Sequence, residues 1–457
     1  MNNSGLLERI FKLKENDTTA GKEILAGLTT FMAMAYILAV NPNILSAAGM
    51  DPNAVMGATA LASAIGCLVM GFLTNYPFAL APGLGINAYF AFTICGAMGY
   101  SYKFALFAVF IEGLLFIVLT LSGFREMLTN SIPMSLKRAI SAAIGLFIAF
   151  IGLQGANIIV NNDSTLVGLV SFHNSIHTTG ITAILCLIGF IVICVLSHNG
   201  VKGAVLIGML LTWILGIVCQ MTGVYVVTPE EGFYSLIPSF AGFQFASLGA
   251  NFGACFNLAG IDVKLLDVVV VVFALLYMDL FDTMGCLVGL ASHTGHIDEE
   301  GNLPKAKGAL LSDAIATCTG AVLGTSTTTT FAESAAGIAA GGRTGLTAVT
   351  AGILFLASLV LAPIFTAVPG FATAPALIYV GFLMLSDILD INLKDILEGV
   401  PAFFCIMVMI LSYSVSDGIA AGVITYTVLN LLAGKKKTVS PMLIVLSLLF
   451  VVKYIIM

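Results

Sequence analysis

Three carboxylates stand where carboxylates are costly. Asp279 and Asp282 lie inside 268–291, a run otherwise long and apolar enough to cross a bilayer. Glu333 closes a threonine tract, Gly324-Thr325-Ser326-Thr327-Thr328-Thr329-Thr330-Phe331-Ala332-Glu333-Ser334-Ala335-Ala336-Gly337, set between two apolar stretches. An ionised side chain at bilayer depth costs about 2.5–3.5 kcal/mol on insertion scales, so such residues face a solvated path or a partner. These acids therefore read as the floor of a solute site in a membrane transporter.

The segments around them are built to be interrupted. Four consecutive threonines favour extended backbone, because β-branching restricts the side chain in a helix. The alanine-rich stretch that follows permits helix, so 324–337 reads as a short extended piece and then a half-helix starting near 331–333. A half-helix start in mid-membrane offers N–H groups and a positive dipole end. Glu333 there accepts hydrogen bonds from a solute's N–H groups, with Ser334 beside it. The plainer alternative is that Glu333 caps its own helix while the hydroxyls pack against neighbours. The counterpart is Ala81-Pro82-Gly83-Leu84-Gly85-Ile86-Asn87. Proline blocks helix upstream, glycine permits unusual dihedrals, and Asn87 offers a solute both donor and acceptor; the alternative is a simple kink.

Asp279 and Asp282 are three apart and share roughly one helix face. Their roles can differ, one binding solute and the other a proton, since burial favours the protonated acid. The alternative is a structural network with Thr or Ser of a neighbouring helix. Asp313 supports the interrupted segment or joins the proton path. Thr29-Thr30 and Asn41-Pro42-Asn43 break the first span, and Thr30 is a candidate for lining the site. The histidines His173, His177, His198, His293 and His296 lie in loops or at span ends and read as solvated; Trp213 reads as packing.

The 457 residues are 59% hydrophobic and 9% charged, with mean hydropathy +1.05. Soluble domains carry roughly 25% charged residues, so a polytopic helical membrane protein is expected, in the plasma (inner) membrane. No basic patch suggests nucleic acid. Nine scattered cysteines with no CxxC or Cys/His spacing indicate neither disulfides nor metal, and no cofactor is expected. About 20 apolar residues make a span. Spans fall near 24–45, 53–74, 78–98, 103–122, 137–155, 180–198 and 202–222, and again near 264–291, 307–324, 326–343, 345–368, 374–390, 400–415 and 417–433. Residues 1–23 form a cytoplasmic N-terminal segment, 223–263 an extracytoplasmic connection and 434–457 a basic turn with an apolar tail, which either spans or lies at the interface. Inner loops then hold Arg125, Lys137, Arg138, Lys202, Lys305, Lys307, Arg343, Lys394 and Lys435-Lys436-Lys437, while 156–178 and 223–262 hold no Lys or Arg. That is the positive-inside asymmetry. Seven spans per half require an inverted repeat. Ser197-His198-Asn199-Gly200-Val201 and Val415-Ser416-Asp417-Gly418-Ile419 sit at equivalent junctions, and the two interrupted segments are each third in their half, the usual pointer to a transporter's site.

At these residues the chain resembles the AzgA-type purine permeases, the hypoxanthine/guanine/adenine branch of the nucleobase–cation symporter families. The likeness rests on Leu28-Thr29-Thr30-Phe31-Met32-Ala33-Met34-Ala35-Tyr36-Ile37, the 81–90 motif, Asp279-Leu280-Phe281-Asp282-Thr283-Met284-Gly285, the 324–337 tract and Ala374-Pro375-Ala376-Leu377-Ile378. It implies an all-α protein of 14 transmembrane segments in a 7+7 inverted repeat, with short strands in segments 3 and 10. It also implies a core domain (24–122 and 264–368) moving against a gate domain (123–222 and 369–433). By that resemblance Asp282 and Glu333 would bind the base; from the residues themselves Phe331 or another aromatic is expected to stack on it, with Asp279 and Asp313 as proton-coupling or supporting groups. Expected partners are a purine nucleobase, a proton rather than sodium, the bilayer, and a possible second copy as homodimer. The rival is an anion exchanger or channel of the same architecture, which an acid at Glu333 opposes because like charges repel.

Overall fold

The computed structural model describes residues 6–122, 133–162, 164–173, 175–228, 233–237, 249–258, 264–294, 303–435 and 438–456. Arg125, His296, Lys436, Lys437 and much of 223–263 lie outside them.

The first apolar stretch forms α1 (Leu6–Phe11), α2 (Ala20–Met34) and α3 (Ile37–Ser46), the last two divided at Ala35-Tyr36. Next come α4 (Pro52–Thr74), β1 (Leu80–Pro82) and α5 (Leu84–Ala88), which runs on as a π-helical turn over Tyr89–Ala97, then α6 (Tyr102–Ser122) and α7 (Met134–Gly155). After a hairpin, β2 (Ile159–Asn162) with β3 (Leu166–Leu169), follow α8 (Thr179–His198) and α9 (Ala204–Met221). The second half holds α10 (Leu265–Thr294), α11 (Ala306–Leu323), β4 (Thr328–Thr330), α12 (Ser334–Ala339), α13 (Gly345–Ala357), α14 (Ala362–Thr366), α15 (Gly370–Leu385), α16 (Ile396–Leu411), α17 (Val415–Leu432) and α18 (Pro441–Ile456).

Eight helical stretches among the described residues are long and apolar enough to cross a membrane, and four shorter apolar helices accompany them. The molecule is a mostly helical, multi-pass membrane protein. The hairpin departs from an all-α expectation: 156–178 is more than a loop. It is registered Ile159↔Leu169 to Asn162↔Leu166, and the Asn162 side chain accepts from the N–H groups of Ser164 and Thr165 in its turn. The tail helix α18 packs on α17 and α10, with Ser447 bonded to Thr427 and the Tyr454 hydroxyl donating to Asp417 at 2.6 Å.

Two helix groups are evident in the packing. In one, α4 lies against α3, α11 and α13, and α2 against α13 and α12; in the other, α15 packs on α7, α8 and α9, and α16 on α7 and α17. Exposed apolar side chains such as Phe72, Val118, Ile191 and Val360 form the outer surface, as a lipid solvent requires. Two lysines of the second half close helix ends of the first. Lys305 donates to the Thr74 carbonyl at 2.8 Å and Lys307 to that of Leu121 at 3.4 Å, closing the last turns of α4 and α6.

Glu23 is the clasp of the first group. It is fully buried in the first turn of α2 and accepts from the N–H of Arg343 (2.9 Å) and Thr344 (3.1 Å) and from the Thr347 hydroxyl (2.7 Å). A carboxylate at the start of α13 also meets the positive end of that helix. Glu23→Ala leaves three buried donors unserved, at about 1–3 kcal/mol each at most. The expected outcome is a clear fall in the melting temperature of the detergent-solubilised protein; an unchanged melting curve would show the clasp to be idle.

Candidate functional site

The two interrupted segments meet. β1 and β4 pair antiparallel with register Leu80↔Thr330, Ala81↔Thr329 and Pro82↔Thr328. At the ends of the pair the N–H of Phe331 donates to the Ala79 carbonyl (2.9 Å) and that of Gly83 to Thr327 (3.1 Å). Buried backbone has no water to turn to, so two broken segments satisfy each other. Proline fits because each strand of a two-stranded sheet is an edge. Ser334 fastens the same junction, its hydroxyl accepting from the N–H of Ala79 at 2.9 Å.

Side chains of the threonine tract reach several neighbouring elements. Thr327 donates to Glu112 of α6 (3.2 Å), Thr329 shares a hydrogen bond with Thr283 of α10 (2.8 Å), and Thr330 donates to Asp313 of α11 (3.3 Å). Thr317 of α11 donates to the Thr328 carbonyl at 3.1 Å. Residues 325–330 of the tract are wholly buried, and so are Asp279 and Asp313. Thr283 contacts both acids, Asp313 at 2.6 Å and Asp279 at 3.1 Å. Asp279 thus meets a threonine of its own helix, and Asp313 meets Thr283 of α10 and Thr330 of β4.

Asp282 and Glu333 differ from these. Both keep partial exposure at the level of the strands, and Ala332 beside Glu333 is exposed. Asp282 lies within electrostatic reach of Glu333 and of Asp313. Its Oδ2 sits 3.3 Å from where a Cβ on Gly83 would fall, so Asp282 stands at the start of α5. Glu333 is the N-cap residue of α12 but makes no side-chain cap bond; its Oε1 accepts the Tyr36 hydroxyl at 2.6 Å. Tyr36, at the break between α2 and α3, is thus a partner of Glu333 that the sequence motifs did not single out. A tyrosine at a helix break in the first span was the available signal.

The α12 start is less open than its sequence suggests. The N–H groups of Ser334, Ala335 and Ala336 bond to the carbonyls of Phe331, Ala332 and Glu333 in a tight first turn. They are not available as solute donors. Asn87 is a better donor: it is fully buried, its Oδ1 is bonded to Ser326, and its amide nitrogen has no partner among the described residues. Phe331 is buried in the main apolar cluster. Thr30 is buried against Gly337, where α2 and α12 approach closely. Of the peripheral residues, Trp213 donates to the Leu236 carbonyl at 2.9 Å, tying α9 to the connection, and His177 lies 3.0 Å from the Val224 carbonyl.

A multi-pass membrane protein with paired broken segments and partly exposed acids at their junction is a transport protein by architecture. The match to known sequences agrees: the chain belongs to the Permease family (Xan_ur_permease), which covers residues 21–421, and it is a transporter rather than an enzyme. It is 42% identical to the guanine/hypoxanthine permease PbuO of Bacillus subtilis over 98% of this chain and 100% of that protein. It is 40% identical to the adenine permease AdeP of Escherichia coli, over 99% and 96% respectively. The transmembrane domain of a cyanobacterium bicarbonate transporter, BicA, superposes with TM-score 0.63 at 15% identity, covering 87% of this chain and 97% of that one. At that identity the likeness is one of fold.

Proposed function

We propose that the chain imports purine nucleobases, hypoxanthine and guanine ahead of adenine, in symport with protons. The observation that carries this reading is the contrast between two partly exposed acids, Asp282 and Glu333, and the sealed acids behind them. Relatives named as guanine/hypoxanthine and adenine permeases support the purine class. A neutral purine is a flat apolar body with N–H donors on its edges. Asp282 and Glu333 accept those N–H bonds, and the Asn87 amide donates to a ring acceptor or carbonyl. The lactam purines carry an N–H at the ring position where adenine has a bare acceptor lone pair, so a carboxylate there meets a donor instead of a repelling lone pair. Because Tyr36 holds Glu333, solute N–H must take over from the tyrosine hydroxyl or add to it. Phe331 stacks on the ring; Ser334 and Thr30 hold the half-helix that presents Glu333.

The mechanism in this reading is alternating access. A core domain of 24–122 and 264–368 moves against a gate domain of 123–222 and 369–433, in a 7+7 inverted repeat with the N-terminus cytoplasmic. Asp279 and Asp313 belong to the proton path. An anionic solute is disfavoured, since two partly exposed acids repel it.

The test is uptake of labelled hypoxanthine, guanine, adenine and uracil by cells expressing the chain, with and without a proton uncoupler. Purines are expected to accumulate, uracil not, and the uncoupler to abolish accumulation. Concentrative uptake that survives the uncoupler removes the proton; uracil ahead of every purine removes the purine site.

A further inference from the structure

Glu112 is an acid that no motif singled out. It lies in the middle of α6, in an apolar helix, and is fully buried. Its Oε2 accepts from Thr327 at 3.2 Å, while its Oε1 finds no hydrogen-bond donor among the described residues. The group within hydrogen-bond reach of Glu112 across the α6–α10 contact is another acid, Asp279. We propose that Glu112 and Asp279 share one proton and form the site that carries the coupling proton, separate from the solute acids. This deepens the reading of the chain as a proton-coupled purine importer and rests on it for the transport part of its test.

Two ionised carboxylates facing each other without water repel strongly, and one proton between them removes the conflict. Asp313 of α11 and the Cys318 thiol of α11 are the other titratable groups recorded against Glu112 among the described residues, and neither is cationic. The π-helical turn Tyr89–Ala97 and the turn Ala254–Phe256, which also pack on α6, contain no Lys, Arg or His. From the residue before β4 comes the Thr327 hydroxyl. On the far side Thr283 lies against both Asp279 and Asp313, and its single hydroxyl proton serves one of them at a time, while Asp313 also accepts from Thr330.

The position suits coupling. The proton pair touches Thr327, the Thr327 carbonyl accepts the N–H of Gly83, and Gly83 abuts Asp282. A change in charge at the pair is thus one strand residue from the solute site, without sharing an atom with it.

The experiment uses the full chain purified into liposomes. Infrared difference spectra at neutral pH should contain a deuterium-sensitive C=O band of a protonated carboxyl, and Glu112→Gln should remove it. In the same vesicles Glu112→Gln should lose hypoxanthine accumulation driven by a proton gradient, and lose hypoxanthine-evoked proton uptake, while exchange of labelled for unlabelled hypoxanthine continues. A merely structural role would lower exchange and accumulation together. Proton-driven accumulation intact in Glu112→Gln, a wild-type spectrum without the band, or accumulation that follows sodium and ignores the pH gradient would each overturn the proposal. Should Glu112→Gln fail to insert, Asp279→Asn faces the same spectral test, and the wild-type band still decides. Wild-type protein that shows the band but does not bind hypoxanthine would sink the substrate and leave the proton site standing.

Discussion

Glu333→Gln is expected to cut purine uptake roughly ten- to hundredfold while leaving the amount of protein in the membrane unchanged. A hydrogen bond to a charged acceptor is worth about 1.5–3 kcal/mol, and each 1.4 kcal/mol is tenfold in affinity. The substitution keeps the shape of the side chain and the Tyr36 contact, because the amide oxygen still accepts at that position. It removes the negative charge and turns half of the acceptor surface into a donor, which meets solute N–H groups donor to donor. Asp282→Asn is expected to act in the same direction. Because Asp282 and Glu333 lie within electrostatic reach of each other, the double variant should lose less than the sum of the two free energies. Labelled hypoxanthine uptake, normalised to surface expression by blot, measures both. Wild-type transport in the two single variants would dismantle the site.

Gly345→Ala is expected to fail differently, by loss of folded protein. α4 and α13 cross at Gly71 and Gly345 with backbone against backbone. A methyl on Gly345 would meet the Cα and carbonyl carbon of Gly71 at 2.8 Å, and one on Gly71 would meet the Gly345 carbonyl oxygen at 2.6 Å. Neither neighbour is a flexible side chain, so the two helices must separate. That opens the packing of α2, α4 and α13 and disturbs the bond from the Gly345 N–H to Asn75 (2.9 Å). Overpacking of this kind costs about 1–3 kcal/mol or more. The measurement is yield of monodisperse protein and its melting temperature, alongside Gly21→Ala, where an added methyl meets nothing within 4 Å. Equal behaviour of the two variants would show that the close approach carries no weight.

Much of this protein was legible in its residues alone. A hydrocarbon solvent imposes its own composition, so the membrane class follows from 59% hydrophobic content and the charge asymmetry of the loops. The breaks at 80–87 and 324–334 were legible because proline, glycine and a threonine run act locally, within a few bonds. Asp282 and Glu333 drew notice because carboxylates in apolar sequence are rare for an energetic reason. What tertiary structure alone decided is everything that joins distant residues. The pairing of Leu80 with Thr330, the tether from Tyr36 to Glu333 across 297 positions, and the contact of Thr327 with Glu112 across 215 have no local signature. The same holds for the division of labour among the acids. Asp279 and Asp282 share a helix face in sequence, yet one is sealed among threonines and Glu112 while the other stays partly exposed, because the neighbouring helices α6 and α11, not their own, set the depth of burial.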